Sequence, residues 1–359
     1  MTKPLPDPAS VERILVRATN WIGDIVMISP SLRALRRRYP AARIDVVAAP
    51  RAAACLEGSP WVDEVIRFDR RGADRGATGL FRLAARLRSR RYDMAVLFQK
   101  AMGAALMASL ARVPIRIGLA TDGRSFLLTH PVPLGPELAR RHHVEIFLEV
   151  ARRAGCDVSD PTPSFEVGVE EESWAAEFLR SERAERFAFL VGIHAFASKK
   201  PRAWHTDRFV ETARSLAGRH RAWILLFGGP GESGDVAGAA RALGECAINA
   251  CARSSVKQMA ALLKRCRIFL GNDSGPMHVA SALGVPVVAI FGPGDPTQTA
   301  PYPGRGPVKP SVLSRRYPCA PCRQDFFKEC YPAPSGKPYC LESISVEEVL
   351  AEAERLLAS

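Results

Sequence analysis

The chain has 359 residues, 47% hydrophobic and 24% charged, with 50 Lys and Arg against 37 Asp and Glu, for a net charge of +13. Such a composition excludes disorder as the main theme, and no apolar run reaches the roughly 18 residues that a membrane span needs. At roughly 100–200 residues per domain, the length predicts two domains. The first ten residues hold three prolines and no apolar h-region, so no secretory signal and a cytoplasmic location are expected. Residues 13–17 and 44–48 read as strands, and Ile25, Ile28, Leu32, Leu35 and Tyr39 recur between them at helical spacing. Pro30 falls inside that helix and predicts a kink or a restart. Residues 94–98 form a further strand, and Pro161 and Pro163 mark a linker. In the second half, 187–193 is a strand, and Thr206 caps a helix whose Phe209, Val210, Ala213 and Leu216 face inward. The strand 223–227 follows, then a capping box, Ser255-x-x-Gln258, opening a helix to Leu263. Residues 268–270 and 285–291 are near-continuous apolar strands of a parallel sheet covered on both faces, and 346–357 is a final helix.

This alternation predicts an α/β fold of two doubly wound, Rossmann-like domains facing a central cleft. The expected domains are 1–165 and 166–343, with a C-terminal helix over 344–359 that could return to the first domain. Charge is uneven between the halves. Residues 1–168 hold 26 basic and 17 acidic side chains, a net of +9, and the remainder a net of +4. A basic half suits an anionic partner, although arginine-rich helices are often only well solvated.

Nine cysteines without a secretory signal read as thiols or metal ligands. Cys319, Cys322, Cys330 and Cys340 form a C-x2-C-x7-C-x9-C array that could hold a structural zinc or remain reduced.

Three places carry residue types suited to chemistry. Asp24, in Trp21-Ile22-Gly23-Asp24, stands where a strand turns into a helix, and could either cap that helix or act as a general base. The helix dipole would keep it ionised, whereas desolvation by substrate would raise its pKa. The stretch from Gly271 to His278 follows a strand and opens a helix with Pro276 in its first turn, which makes an anion site suited to phosphate. Arg202 offers a forked donor for a diphosphate, and Glu232 could accept from a ribose hydroxyl or simply start a helix. The glycines around Pro230 do not form the dinucleotide fingerprint, which weighs against a nicotinamide enzyme.

Trp21-Ile22-Gly23-Asp24, Arg202-x-Trp204, the stretch Asn272-Asp273-Ser274-Gly275-Pro276-Met277-His278-Val279-Ala280 and Phe291-Gly292-Pro293 together resemble the ADP-heptose:lipopolysaccharide heptosyltransferases of glycosyltransferase family 9. Trp-Ile-Gly-Asp and Asn-Asp-Ser-Gly place the resemblance closest to the heptosyltransferase II branch, over residues 14–357. The resemblance implies a GT-B fold and an inverting transfer of heptose from ADP-heptose to the lipopolysaccharide inner core, a heptosyl-Kdo-lipid A acceptor, with no metal in the chemistry. It makes Asp24 the base, and gives Asp273, Ser274, Gly275 and His278 to the ADP diphosphate. Arg202 stands where the family usually has Lys, and Glu232 falls on the nucleoside side. The stretch 194–204 is a residue longer than in relatives, so Lys200, with Ser198, could take the part given to Arg202. Arg116 and Arg124 are the expected acceptor contacts. ADP-heptose, an anionic lipopolysaccharide precursor and the inner-membrane surface are the expected partners, with no nucleic acid and a peripheral membrane location.

Other readings are a family-9 transferase of type I or III with a different acceptor, a nucleotide-sugar epimerase and a basic anionic-surface binding module. The module lacks RNP-like strands, interleaved aromatics and a helix-turn-helix, and it leaves the Asp273 loop unexplained. The epimerase needs further carboxylates and His that the sequence does not supply.

Overall fold

The computed structural model describes residues 4–182, 188–197, 199–304, 306–319, 322 and 330–359. The chain divides into two compact units, Met1–Glu166 and Val167–Ser359.

The first unit is built on strands β1 (Arg13–Arg17), β2 (Arg43–Ala48), β3 (Glu64–Arg67), β4 (Met94–Leu97), β5 (Ile115–Leu119) and β6 (His130–Val132). They pair in parallel in the order β3-β2-β1-β4-β5-β6. The β-branched and aliphatic run Ile14, Leu15 and Val16 is wholly buried, as a central parallel strand covered on both faces requires. Leu15, Val47 and Leu97 share a core with Leu83 and Leu87 of the helix Gly76–Ser89. Each such side chain contributes about 1.5–3 kcal/mol by leaving water.

The second unit repeats the plan with β7 (Leu190–His194), β8 (Trp223–Leu226), β9 (Ala247–Asn249), β10 (Cys266–Asn272), β11 (Val287–Phe291) and β12 (Ser311–Ser314). Their order is β12-β11-β10-β7-β8-β9, again parallel. Strand order therefore reverses between β1 and β4 in one unit and between β7 and β10 in the other. Ligands of open parallel sheets bind outside the carboxyl ends of strands at such reversals.

The structure corrects two local expectations. Pro30 neither stops nor restarts its helix, which runs unbroken over Ile22–Arg38. Proline removes the N–H that would reach the Val26 carbonyl, and the Ser29 hydroxyl donates to that carbonyl instead, at 2.7 Å. Thr206 is the first residue of the helix Thr206–His220, whose cap position is His205. The final helix, Val346–Ala358, belongs to the second unit. Its stripe of Val349, Leu350, Ala353 and Leu356 joins the second core beside Leu216 and Ile224. Its Glu354 also pairs with Arg219 at 2.8 Å.

Candidate active site

At the carboxyl end of β1 the chain turns through the exposed Trp21 into the helix Ile22–Arg38, and Asp24 lies in its first turn. Among the described residues no side chain caps this helix, so the capping role weighed for Asp24 is not the one it fills. Burial pushes the Asp24 carboxyl up to about 6, with the Lys100 ammonium pulling the other way. Desolvation thus outweighs the Lys100 charge, and the group is poised as an acceptor of protons near neutral pH.

Lys100 was not singled out by the sequence. It follows β4, the strand beside β1, and the chain there stays fastened to the end of β1: Phe98 and Gln99 N–H both donate to the Arg17 carbonyl, at 3.0 and 3.2 Å. Burial lowers the Lys100 pKa and Asp24 raises it. Position at the strand-order reversal is the signal that could have identified this lysine.

Arg116 and Arg124, expected to meet the acceptor, are both engaged by main-chain carbonyls. Arg124 is completely buried. Its Nε donates to the Leu119 carbonyl at 3.0 Å, and its Nη1 to the carbonyls of Gln99 and Ala101 at 2.5 and 3.1 Å. Arg116 donates to the carbonyls of Leu127 and Val113, both at 2.6 Å. Both guanidiniums satisfy main-chain acceptors of loops, and among the described residues Arg124 Nη2 is buried without a hydrogen-bond partner. Arg124 thereby fixes the loop that carries Lys100, helped by Thr121, whose hydroxyl donates to the Lys100 carbonyl at 3.0 Å.

In the second unit, β10 leads through Asp273 and Ser274 into the helix Gly275–Ala282, with Pro276 in its first turn. Ser274 stands at the cap position, yet its hydroxyl makes no capping bond. The N–H groups of this helix end therefore remain available to an anion, with Gly275 keeping the approach open. His278 lies one turn in and is 6% exposed. Asp273 is also buried, and Arg202 Nη2 donates to its Oδ2. This carboxylate meets the cation of Arg202 and holds it in place. Burial lowers the Arg202 pKa and the neighbouring Cys322 raises it. Among the described residues Arg202 Nε is buried without a hydrogen-bond partner, a donor left for a ligand oxygen.

Trp204 anchors this arrangement. It is fully buried, accepts no exposure to solvent, and its Nε1 donates to the Ile344 carbonyl at 3.1 Å. Its main-chain N–H donates to Asn272 Oδ1 at 2.8 Å, which ties the Arg202 turn to the end of β10. Close packing also explains the glycines after β11. A Cβ on Gly294 would lie 2.6 Å from Asp273 Oδ2, and one on Gly292 would lie 2.6 Å from Leu341. Lys200, in the same short turn as Arg202, is exposed. Ser198 lies outside the described residues.

Glu232 closes its own turn: its Oε2 accepts from the Gly229 N–H at 2.7 Å. The same oxygen is 3.6 Å from His194 Nε2, and the other ring nitrogen of His194, which the sequence did not mark, is 3.2 Å from the Ser274 hydroxyl.

The Cys322 N–H donates to the Pro293 carbonyl at 3.2 Å, beside the Asp273 turn. Burial raises the Cys340 thiol to about 11, with Cys319, Cys330 and Cys322 adding to the shift. Cys319 is likewise raised by burial and by its neighbour Cys330. Although the four thiols are neighbours, no group of three or more His, Cys, Asp or Glu placed to hold a metal ion occurs among the described residues.

Residues 80–330 match the profile of Glycosyltransferase family 9 (heptosyltransferase). The chain is 30% identical to lipopolysaccharide heptosyltransferase 2 of Salmonella typhimurium over 303 residues, 80% of this chain and 85% of the relative. It is 29% identical to the Escherichia coli K12 protein of the same name, over the same shares. Among solved structures, the family 9 glycosyl transferase of Veillonella parvula superposes with a TM-score of 0.81 at 25% identity, covering 97% of each chain. The ADP-heptose lps heptosyltransferase II of E. coli gives 0.78 at 26% identity, covering 96% of this chain and 98% of the other.

Proposed function

The chain belongs to glycosyltransferase family 9 and has its GT-B fold, and on that premise we propose that it moves a heptose from ADP-heptose to the inner core of lipopolysaccharide, on a heptosyl-Kdo-lipid A acceptor. The observation that carries the reading is the anion seat of the second unit: an uncapped helix end at Ser274, with Arg202 held beside it by Asp273. The first unit supplies a buried carboxylate raised towards neutrality.

The chemistry follows from these two groups. An acceptor hydroxyl oxygen attacks the anomeric carbon of the heptose as the bond from that carbon to the ADP oxygen breaks. The hydroxyl proton passes to Asp24, and the configuration inverts because one displacement occurs. Negative charge grows on the departing ADP and is met by the helix N–H groups, Arg202 and His278, which are already oriented before reaction. Glu232 then lies on the nucleoside side. Calorimetric titration with ADP, UDP and GDP tests the donor: tight binding of ADP alone is expected, and a preference for another nucleotide overturns it.

Lys100 replaces Arg116 and Arg124 as the proposed acceptor contact, since it is the cation beside the base. A Lys100→Met variant should raise the acceptor KM about tenfold or more and leave ADP affinity unchanged, in steady-state kinetics paired with calorimetry. Loss of ADP binding instead would remove Lys100 from this role.

Transfer is proposed to need no metal ion. Four thiolates suit zinc by donor type, but the described residues hold no group of three or more placed for a metal ion, so Cys319, Cys322, Cys330 and Cys340 are proposed either as reduced thiols or as a structural zinc site, outside the chemistry in both cases. Activity should therefore persist in excess chelator even where metal analysis of the reduced protein finds zinc that Cys319→Ser removes. Transfer lost on chelation with the fold intact contradicts the metal-free chemistry. No helix among the described residues is long and apolar enough to cross a membrane. The protein is proposed to meet its lipid-linked acceptor peripherally, at the cytoplasmic face of the inner membrane, through the basic surface of residues 1–168. Nucleic acid is not a proposed partner.

A further inference from the structure

Two strands carry donor-recognition residues just past their ends: Ser274 follows β10, and Glu232 follows β8. Between them in the sheet lies β7, whose last residue is His194. We propose that His194 is a positioning residue that links the Ser274 hydroxyl to the Glu232 carboxylate, so that the diphosphate and nucleoside ends of the donor are recognised by one connected unit.

The geometry supports this at both ring nitrogens. Nδ1 is 3.2 Å from Ser274 Oγ, and Nε2 is 3.6 Å from Glu232 Oε2. His194 is only 6% exposed, so each nitrogen needs a polar neighbour to offset its desolvation. Phe196 packs edge-on against the ring, with centroids 6.1 Å apart, and limits its rotation. The main chain is equally constrained, since His194 sits opposite Gly271 in the β7–β10 register. Glu232 is held in turn by the Gly229 N–H.

Linkage matters because a serine hydroxyl has one proton. Ser274 can give that proton to a phosphate oxygen when its own lone pair accepts from Nδ1–H, and the same ring faces Glu232 as a donor only when Nε2 also carries its proton, so the link operates in the imidazolium form. His194 thus sets the direction in which Ser274 points its only donor, without touching the nucleotide itself. Its loss should act through Ser274.

The inference rests on the donor reading above. It is tested by titrating ADP and pyrophosphate calorimetrically into the unaltered protein, His194→Ala, Ser274→Ala and the double variant, with His194→Asn and His194→Gln alongside. His194→Ala should weaken ADP binding about tenfold, and the double variant should bind no more weakly than Ser274→Ala alone. His194→Asn, whose amide nitrogen falls near the place of Nδ1, should restore most of the pyrophosphate affinity. His194→Gln, which reaches the Nε2 side, should not. Melting temperatures verify folding, and if His194→Ala does not fold, the Asn and Gln pair decides the matter. Unchanged ADP affinity in His194→Ala, additive losses in the double variant, or equal behaviour of Asn and Gln overturns the linkage while leaving the donor reading intact. Absence of ADP binding by the unaltered protein overturns the donor reading and the linkage with it.

Discussion

Asp24→Asn is expected to lower heptose transfer by about 10²–10⁴-fold while ADP binding and folding persist. The amide has nearly the shape of the carboxylate but cannot take the acceptor's proton. Asp24 belongs to the first unit, whereas the Arg202, Ser274 and His278 group assigned to the diphosphate belongs to the second, so ADP affinity is expected to be unchanged. The pH profile of the unaltered enzyme gives a second readout. With the carboxyl raised to about 6, kcat should fall as pH drops through that value, because the base becomes protonated. Stability moves in the opposite sense. A carboxyl whose folded pKa lies above its unfolded value favours the folded state least once it is ionised, so stability from this group declines as pH rises from the ordinary carboxylate range through about 6. Asp24→Asn should therefore melt at a higher temperature than the unaltered protein at neutral pH. Full turnover in this variant, or a profile flat through that range, removes Asp24 as the base.

Arg202→Ala is expected to weaken ADP and donor binding by about ten- to a hundredfold, the loss of one charge-assisted contact of about 1.5–3 kcal/mol. It should also destabilise the protein, because the buried Asp273 would lose the guanidinium that Nη2 brings to it. The two effects separate in the double variant Arg202→Met with Asp273→Asn. Removing both charges should recover stability while ADP affinity stays low. If the double variant binds ADP normally, Arg202 supports the turn and does not meet the diphosphate. His278→Ala should weaken ADP in the same direction without the stability loss that comes from exposing a charged partner.

Much of this was legible because the informative residues sit at strand-to-helix junctions. Asp24 and the Asp273 turn each combine a carboxylate with glycine or proline where a parallel strand ends, and position alone marks such places. The two central strands were equally plain, since runs such as Ile14 to Val16 are apolar on both faces. What failed was the direction of long side chains. Arg116 and Arg124 are basic residues in a basic half, and nothing in their spacing tells that both guanidiniums turn inward to main-chain carbonyls. Lys100 and His194 were missed for the converse reason. Each is an ordinary residue in its local pattern, and each gains significance only from the strand order that places it beside a reacting or binding group. The final helix left its packing open, because an amphipathic stripe shows that a helix is covered but not by which unit.

The most direct measurement incubates the purified protein with ADP-heptose and a heptosyl-Kdo-lipid A acceptor, and follows the acceptor by mass spectrometry. The account predicts that the acceptor gains one heptose as ADP is released, and that Asp24→Asn abolishes the gain. An acceptor left unchanged, with ADP-heptose intact or merely hydrolysed while another nucleotide sugar is consumed, would contradict it.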